Sequence, residues 1–87
     1  MKTLIGALLV AMAATTAQAQ DQCYSLWLER NQIYKDAGYC FRTAAAINAF
    51  GNANCVYVNQ NDIPLSNSER ARINDIVRVE RALRCPR

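Results

Sequence analysis

Ser66-Asn67-Ser68-Glu69-Arg70-Ala71-Arg72-Ile73-Asn74-Asp75-Ile76-Val77-Arg78-Val79-Glu80-Arg81-Ala82-Leu83 is the stretch from which the fold class is read. Its first four residues form a capping box: the Ser66 hydroxyl accepts the Glu69 backbone N–H, and the Glu69 carboxylate accepts the Ser66 N–H in return. From there a helix is predicted to about Leu83, stopping before Cys85-Pro86. At the helical period, Ile73, Ile76, Val79 and Leu83 make a buried stripe, and Arg70, Asn74, Arg78 and Arg81 gather on the opposite side. Asp75 and Arg78 are spaced as an ordinary surface pair. Glu80 is the exception, because it projects between Ile73, Ile76 and Leu83. A carboxylate there must be neutralised, paired or at the stripe's edge. Arg84 is one available partner and Arg30 another; we expect an interhelical Arg30–Glu80 pair.

Working back toward the N-terminus, a first helix is predicted from Tyr24 to Asp36. Tyr24, Trp27, Leu28, Asn31 and Tyr34 share one side, and Leu26, Ile33 and Ala37 another. The polar arc of Glu29, Gln32 and Asp36 is narrow. A helix so apolar is packed on two sides, and Asn31 within its aromatic stripe is expected to hydrogen-bond loop backbone. Gly38 supplies a left-handed stop before Tyr39-Cys40-Phe41. A short second helix follows from Ala44 to Phe50, between the N-cap Thr43 and Gly51. Residues Asn52 to Leu65 are rich in Asn, Asp and Gln, which reads as loop, with at most a short strand at Cys55-Val56-Tyr57-Val58. The expected architecture is mostly α: a small disulfide-stapled helical domain of about three helices with a long irregular loop.

Four cysteines, Cys23, Cys40, Cys55 and Cys85, allow three pairings. Cys23–Cys40 would have to bridge the two ends of the first helix, about 18 Å apart, whereas a disulfide needs Cα atoms within about 7 Å. Cys23–Cys85 ties the start of the first helix to the end of the third, natural for antiparallel neighbours, and leaves Cys40–Cys55 to close around the second helix. That scheme is preferred over Cys23–Cys55 with Cys40–Cys85. No CxxC spacing and no histidine occur, so a zinc site would need four scattered cysteines; no metal and no cofactor are expected.

Ahead of these elements the chain reads as a signal peptide over residues 1–19. Met1 and Lys2 form a short positive region, and an apolar run of about ten residues within Thr3 to Met12 has the length of an h-region. That run is short of the roughly twenty residues needed to span a bilayer. Ala17-Gln18-Ala19 fits the cleavage pattern, so the mature chain begins at Gln20. The alternatives are an N-terminal core helix, or a lipoprotein with Cys23 as acceptor, against which Gln22 counts. Cleavage leaves 68 of the 87 residues as a single domain, 20–87, and lowers the formal charge from +3 to +2. Nucleic acid is not indicated by so small an excess. A core of this size is marginal unaided, and disulfides belong to an oxidising compartment: periplasm or exterior.

Without histidine, and with no free thiol once the cysteines pair, the commonest general base and nucleophile are both missing. Paired carboxylates are the remaining route, with Glu29, Asp36, Asp62, Glu69, Asp75 and Glu80 as candidates. Glu69 is accounted for by capping, and Glu80 alone is no mechanism. The aromatic residues read as core. The face formed by Arg70, Arg78 and Arg81 is ordinarily a solvated one, and is also the candidate grip for an anionic partner such as an envelope polymer or an acidic protein surface.

Arg30-Asn31-Gln32-Ile33-Tyr34-Lys35-Asp36-Ala37-Gly38-Tyr39-Cys40-Phe41 resembles the signature of the YARHG domain, a Tyr-Ala-Arg-His-Gly run preceded by Arg-Asn-x-Ile. Tyr34 and Gly38 match the ends of that run. Lys35, Asp36 and Ala37 replace its middle, so nothing that depends on its arginine or histidine carries over. Gly38-Tyr39-Cys40-Phe41, followed by Phe50-Gly51-Asn52 and Cys55, is closer still to a cysteine-bearing relative in exported proteobacterial proteins. The resemblance extends to the last helix through Ser66, Glu69, Asn74 and Glu80. It implies an exported helical module of no established activity, often appended to other domains, with Asn31, Gly38 and Glu80 as fold-defining positions.

These readings converge on an exported, non-enzymatic module engaged in protein or cell-envelope interaction. Two other functions are kept open. One is a small secreted inhibitor or effector that inserts its Asn52 to Pro64 loop into a target; the other is a carboxylate-based hydrolase of envelope polysaccharide.

Overall fold

The computed structural model describes residues 2–86, with side chains from residue 18 onward. Three α-helices follow one another, α1 (Lys2–Asp36), α2 (Ala44–Phe50) and α3 (Asn67–Ala82), with a 3-10 turn at Gln60–Asp62. No strand is formed among the described residues, and the domain is mostly helical, held by two disulfides. The expected boundaries hold for α2 and α3, and for the C-terminal end of α1.

The first helix begins at Lys2 rather than Tyr24. Between Lys2 and Asp36 the sequence offers no proline and only one glycine, Gly6, while alanine and leucine dominate, so nothing stops the helix on the N-terminal side of Tyr24. The apolar leader and the first predicted helix are therefore one continuous element.

α1 and α3 run antiparallel. Cys23 is bonded to Cys85 just past the end of α3, while Arg30–Glu80 and Glu29–Arg72 join the helices at positions later on α1 and earlier on α3. Ile73 and Ile76 are the buried apolar residues of α3, and Glu80 joins them. The stripe is thus Ile73, Ile76, Glu80 and the half-buried Leu83, at spacings of three, four and three; Val79, predicted to belong to it, is 46% exposed because it lies a further turn-angle off that line.

A second cluster sits under α2. Tyr39, Phe41, Ala46 and Ile63 are buried, with Trp27, Tyr34, Phe50, Tyr57 and Leu65 packed against them. Aromatic contacts run in an unbroken series Tyr24–Trp27–Phe50–Phe41–Tyr39–Tyr34, with centroids 5.3–5.9 Å apart. Edge-to-face and offset geometries of this kind add to what area burial alone supplies. The series starts at Tyr24, which is 61% exposed rather than part of the core.

The long loop is irregular but ordered by backbone pairing. Val56 and Tyr57 N–H both donate to Gly38 O, at 2.8 and 3.0 Å, and Cys40 N–H donates to Tyr57 O at 2.8 Å. This makes one parallel bridge, Tyr39 to Tyr57, where a short strand was the most expected. Asn52 holds the other side: its Oδ1 accepts Phe41 N–H at 2.7 Å and its Nδ2 donates to Phe41 O at 3.0 Å. One side-chain amide thereby does for Phe41 what a neighbouring strand would do.

Candidate functional site

Along the α1–α3 seam, the one carboxylate on the buried stripe is matched by a guanidinium. Arg30 Nε donates to Glu80 Oε1 at 2.8 Å and Arg30 Nη2 to Oε2 at 3.1 Å, a bidentate pair with Glu80 2% exposed. Arg84, the other partner considered, is not used. The parallel fork geometry consumes both carboxylate oxygens, so no lone acid faces solvent there. A second, exposed pair joins the same helices, Arg72 to Glu29 at 2.5 Å. The Arg72 hydrogen bond pulls the Glu29 carboxyl below its ordinary range, and Glu29 raises Arg72 in return.

The remaining signature residues are distributed rather than gathered. Asn31 is buried, but its Nδ2 donates to Trp27 O in its own helix at 2.9 Å, not to loop backbone; a carbonyl four residues earlier on the same face is simply the nearest acceptor. Ile33 and Tyr34 are half-buried, and Phe41 is buried in the aromatic cluster. Gly38 sits at φ +94° where α1 ends. Ser66 and Glu69 form the expected capping box, Glu69 N–H to Ser66 Oγ at 3.1 Å and Ser66 N–H to Glu69 Oε1 at 2.8 Å. Those bonds hold the Glu69 carboxyl below its usual value. Asp62, the other hydrolase candidate, is exposed in the 3-10 turn.

Arg70, Arg78 and Arg81 are all exposed on α3. Arg78 pairs with Asp75 at 2.6 Å; Arg70 and Arg81 have no carboxylate partner among the described residues. Two cations are therefore available to an anion along one helix.

One further feature was not legible beforehand. At the end of α3, Cys85 N–H donates to Glu80 O at 2.9 Å and Arg84 N–H to Arg81 O at 3.1 Å, the Schellman pattern, with Arg84 at φ +55°. Beside this turn lies a groove of about 630 Å³ between the helices. Gln20, Tyr24 and Trp27 line it from α1, and Leu83, Arg84 and Pro86 from the other wall. Tyr24 and Trp27 are offset-stacked there, 5.9 Å between centroids and 19° between planes. The missed signal is positional: Gln20, Cys23, Tyr24 and Trp27 recur at spacings of three and four, a shared face that their separate readings as mature N-terminus, staple and core do not bring together.

Across residues 1–81 the sequence matches the family model described as the YARHG domain. The chain belongs to the YARHG domain family. No curated protein and no solved structure matches it. In this YARHG domain the matched residues contain the Arg30 to Phe41 signature and the Arg30–Glu80 pair, whereas Leu83, Arg84 and Pro86 of the groove lie beyond them. Among the described residues no cluster of acidic or cysteine side chains could hold a metal, and no helix is long and apolar enough to cross a membrane.

Proposed function

We propose that this YARHG protein is exported, loses residues 1–19, and works without catalysis by binding an anionic polymer of the cell envelope through the arginine face of α3. Supporting export are the disulfides, Cys23–Cys85 and Cys40–Cys55, which use every cysteine and persist in oxidising compartments. The observation that carries the binding assignment is the pair of exposed guanidinium groups on Arg70 and Arg81, without a carboxylate partner among the described residues, beside a third at Arg78. Fixed on one rigid helix, they meet a polyanion without the ordering cost of a flexible tail. The test is fractionation of cells followed by mass measurement, expecting an N-terminus at Gln20, and co-sedimentation with isolated envelope. Arg70→Glu combined with Arg81→Glu should abolish the sedimentation, and raised salt should weaken it. Binding that survives both would end this reading.

A second reading is favoured by one observation. Val56 and Val58 are 69% and 62% exposed on a loop fixed by Cys40–Cys55 and by the bonds to Gly38. A stapled loop presenting two valines suits insertion into a target's cleft, the inhibitor or effector function. Protease and lysozyme inhibition assays with Val56→Asp and Val58→Asp as controls decide it.

A further inference from the structure

We infer that the groove between Tyr24 and Arg84 binds a single pyranose ring of an acidic glycan, the sugar's carboxylate being held by Arg84. This rests on the envelope-binding reading above and gives it a ligand class and a second contact point.

Tyr24 is where the aromatic series reaches solvent: one face of its ring is partly covered by Trp27, and the residue is 61% exposed. The C–H face of a pyranose is flat and apolar, so it continues such a stack, while its edge hydroxyls need polar side chains at the rim. Gln20 and Arg84 stand there, both exposed. With Ala19 still attached and forming part of its wall, the groove measures about 630 Å³, within the range of small-ligand sites, roughly 300–1,000 Å³; cleavage before Gln20 opens that end and leaves Gln20, Tyr24, Trp27, Leu83, Arg84 and Pro86 in place.

The charge preference comes from Arg84. Glu80 also lines the groove, but both its oxygens are taken by Arg30, whereas Arg84 has no carboxylate partner among the described residues. Moreover, Arg84 occupies a left-handed position that glycine fills at lower cost. A strained arginine at a groove rim is a reason to look for what its guanidinium does, and bidentate carboxylate binding is its characteristic chemistry. Cleavage before Gln20 would add an ammonium group to the same rim.

Trp27 is the sole tryptophan, so its fluorescence reports on the groove. The oxidised protein, expressed with its own N-terminus, is titrated with short polygalacturonate oligomers and with neutral glucose oligomers of equal length. The expected result is a saturable change with the acidic oligomers, weakened about tenfold by Tyr24→Ala and by Arg84→Gly, with glucose oligomers no better than those variants. Arg84→Gly should melt no lower than the parent, which separates lost binding from lost folding. Wild-type affinity in both variants overturns the inference. If the oligomers bind and only Arg70→Glu with Arg81→Glu weakens them, the groove assignment falls and the arginine-face reading stands. If the groove variants lose oligomer binding while the protein never sediments with envelope, the groove stands as a sugar site and the envelope reading falls.

Discussion

The C-terminal ends of α1 and α3 are closed by the same pair of hydrogen bonds and by different residues. At α1, Tyr39 N–H reaches Tyr34 O and Gly38 N–H reaches Lys35 O, both at 3.1 Å; at α3, Cys85 N–H reaches Glu80 O and Arg84 N–H reaches Arg81 O. In each case the turn delivers a cysteine within two residues, Cys40 after Gly38 and Cys85 after Arg84, and that cysteine is bridged. The difference is in what surrounds the left-handed residue. Gly38 lies against the Tyr57 ring and its carbonyl accepts two loop N–H groups, so its position is structural on every side. Arg84 is exposed beside a groove and has solvent for its side chain. One end is built for the core, the other for the surface.

The largest effects test the staples behind the two turns. In the chain-entropy account, Cys23–Cys85, with a separation of 62, contributes about 4 kcal/mol, and Cys40–Cys55, with a separation of 15, about 3 kcal/mol. Cys23→Ser with Cys85→Ser should therefore lower unfolding free energy more than Cys40→Ser with Cys55→Ser, and full reduction should bring the domain near unfolding, since small domains hold only about 5–10 kcal/mol in all. Denaturant titration of the two double variants checks the order. A reversed order would place the greater constraint at the loop end and undo the comparison.

Next comes the carbonyl-bearing residue under the α3 turn. Glu80→Gln removes one partner of a bidentate pair and leaves Arg30, itself 19% exposed, to find water; the loss should be about 3 kcal/mol, at the low end for broken buried pairs because of that exposure. Arg30→Met together with Glu80→Met should recover most of it, as well-packed apolar replacements often do. An unchanged melting curve for Glu80→Gln would mean that packing of Ile73 and Ile76, rather than the ion pair, sets the seam.

How much of this could be read in advance divides along the same line. The α3 side was legible because its signals are local or periodic: Ser66 and Glu69 are three residues apart, and Glu80 on an apolar stripe demands a counter-ion. Arg30 was then the cation on the facing helix. Reach removed one of the three disulfide pairings, and the expectation of antiparallel helices favoured the observed one of the remaining two. The loop side was not legible in the same way, because its organiser, Asn52, works through two bonds to Phe41 that no spacing rule announces. The Arg84 turn was hidden by its residue type, since glycine is the usual marker of that conformation. Glu80 keeps the inward place its spacing predicts, whereas Val79 turns out to solvent, because adjacent positions differ by only one residue's rotation and the facing helix decides where the stripe's edge falls.

A smaller effect compares the two turns directly. Gly38→Ala forces a side chain into φ +94°, with its Cβ 3.4 Å from the Tyr57 ring, and should cost about 1–2 kcal/mol. Arg84→Gly relieves strain at φ +55° but loosens the unfolded chain, for a net gain of about 0.5–1 kcal/mol. Opposite signs in thermal melts are the expected outcome; a loss at both positions would show that the Arg84 side chain, too, is structural.

The smallest effect lies at the other end of α3 and is read by pH. The Ser66 hydrogen bonds hold the Glu69 carboxyl below its ordinary value, and Arg72 does the same for Glu29. A carboxyl depressed in the folded state stabilises it above its unfolded pKa, near 4.3, and that contribution fades as pH falls through the lower folded value. Melting temperature should hence be flat above about pH 5 and decline below about pH 4. In Glu69→Gln the amide can still accept the Ser66 N–H but cannot titrate, so the acid limb should become shallower while the neutral-pH melt barely moves. Glu29→Gln should flatten the remainder. If neither variant changes the slope, the acid sensitivity belongs to other carboxylates, and the start of α3 is held by the Ser66 hydroxyl alone.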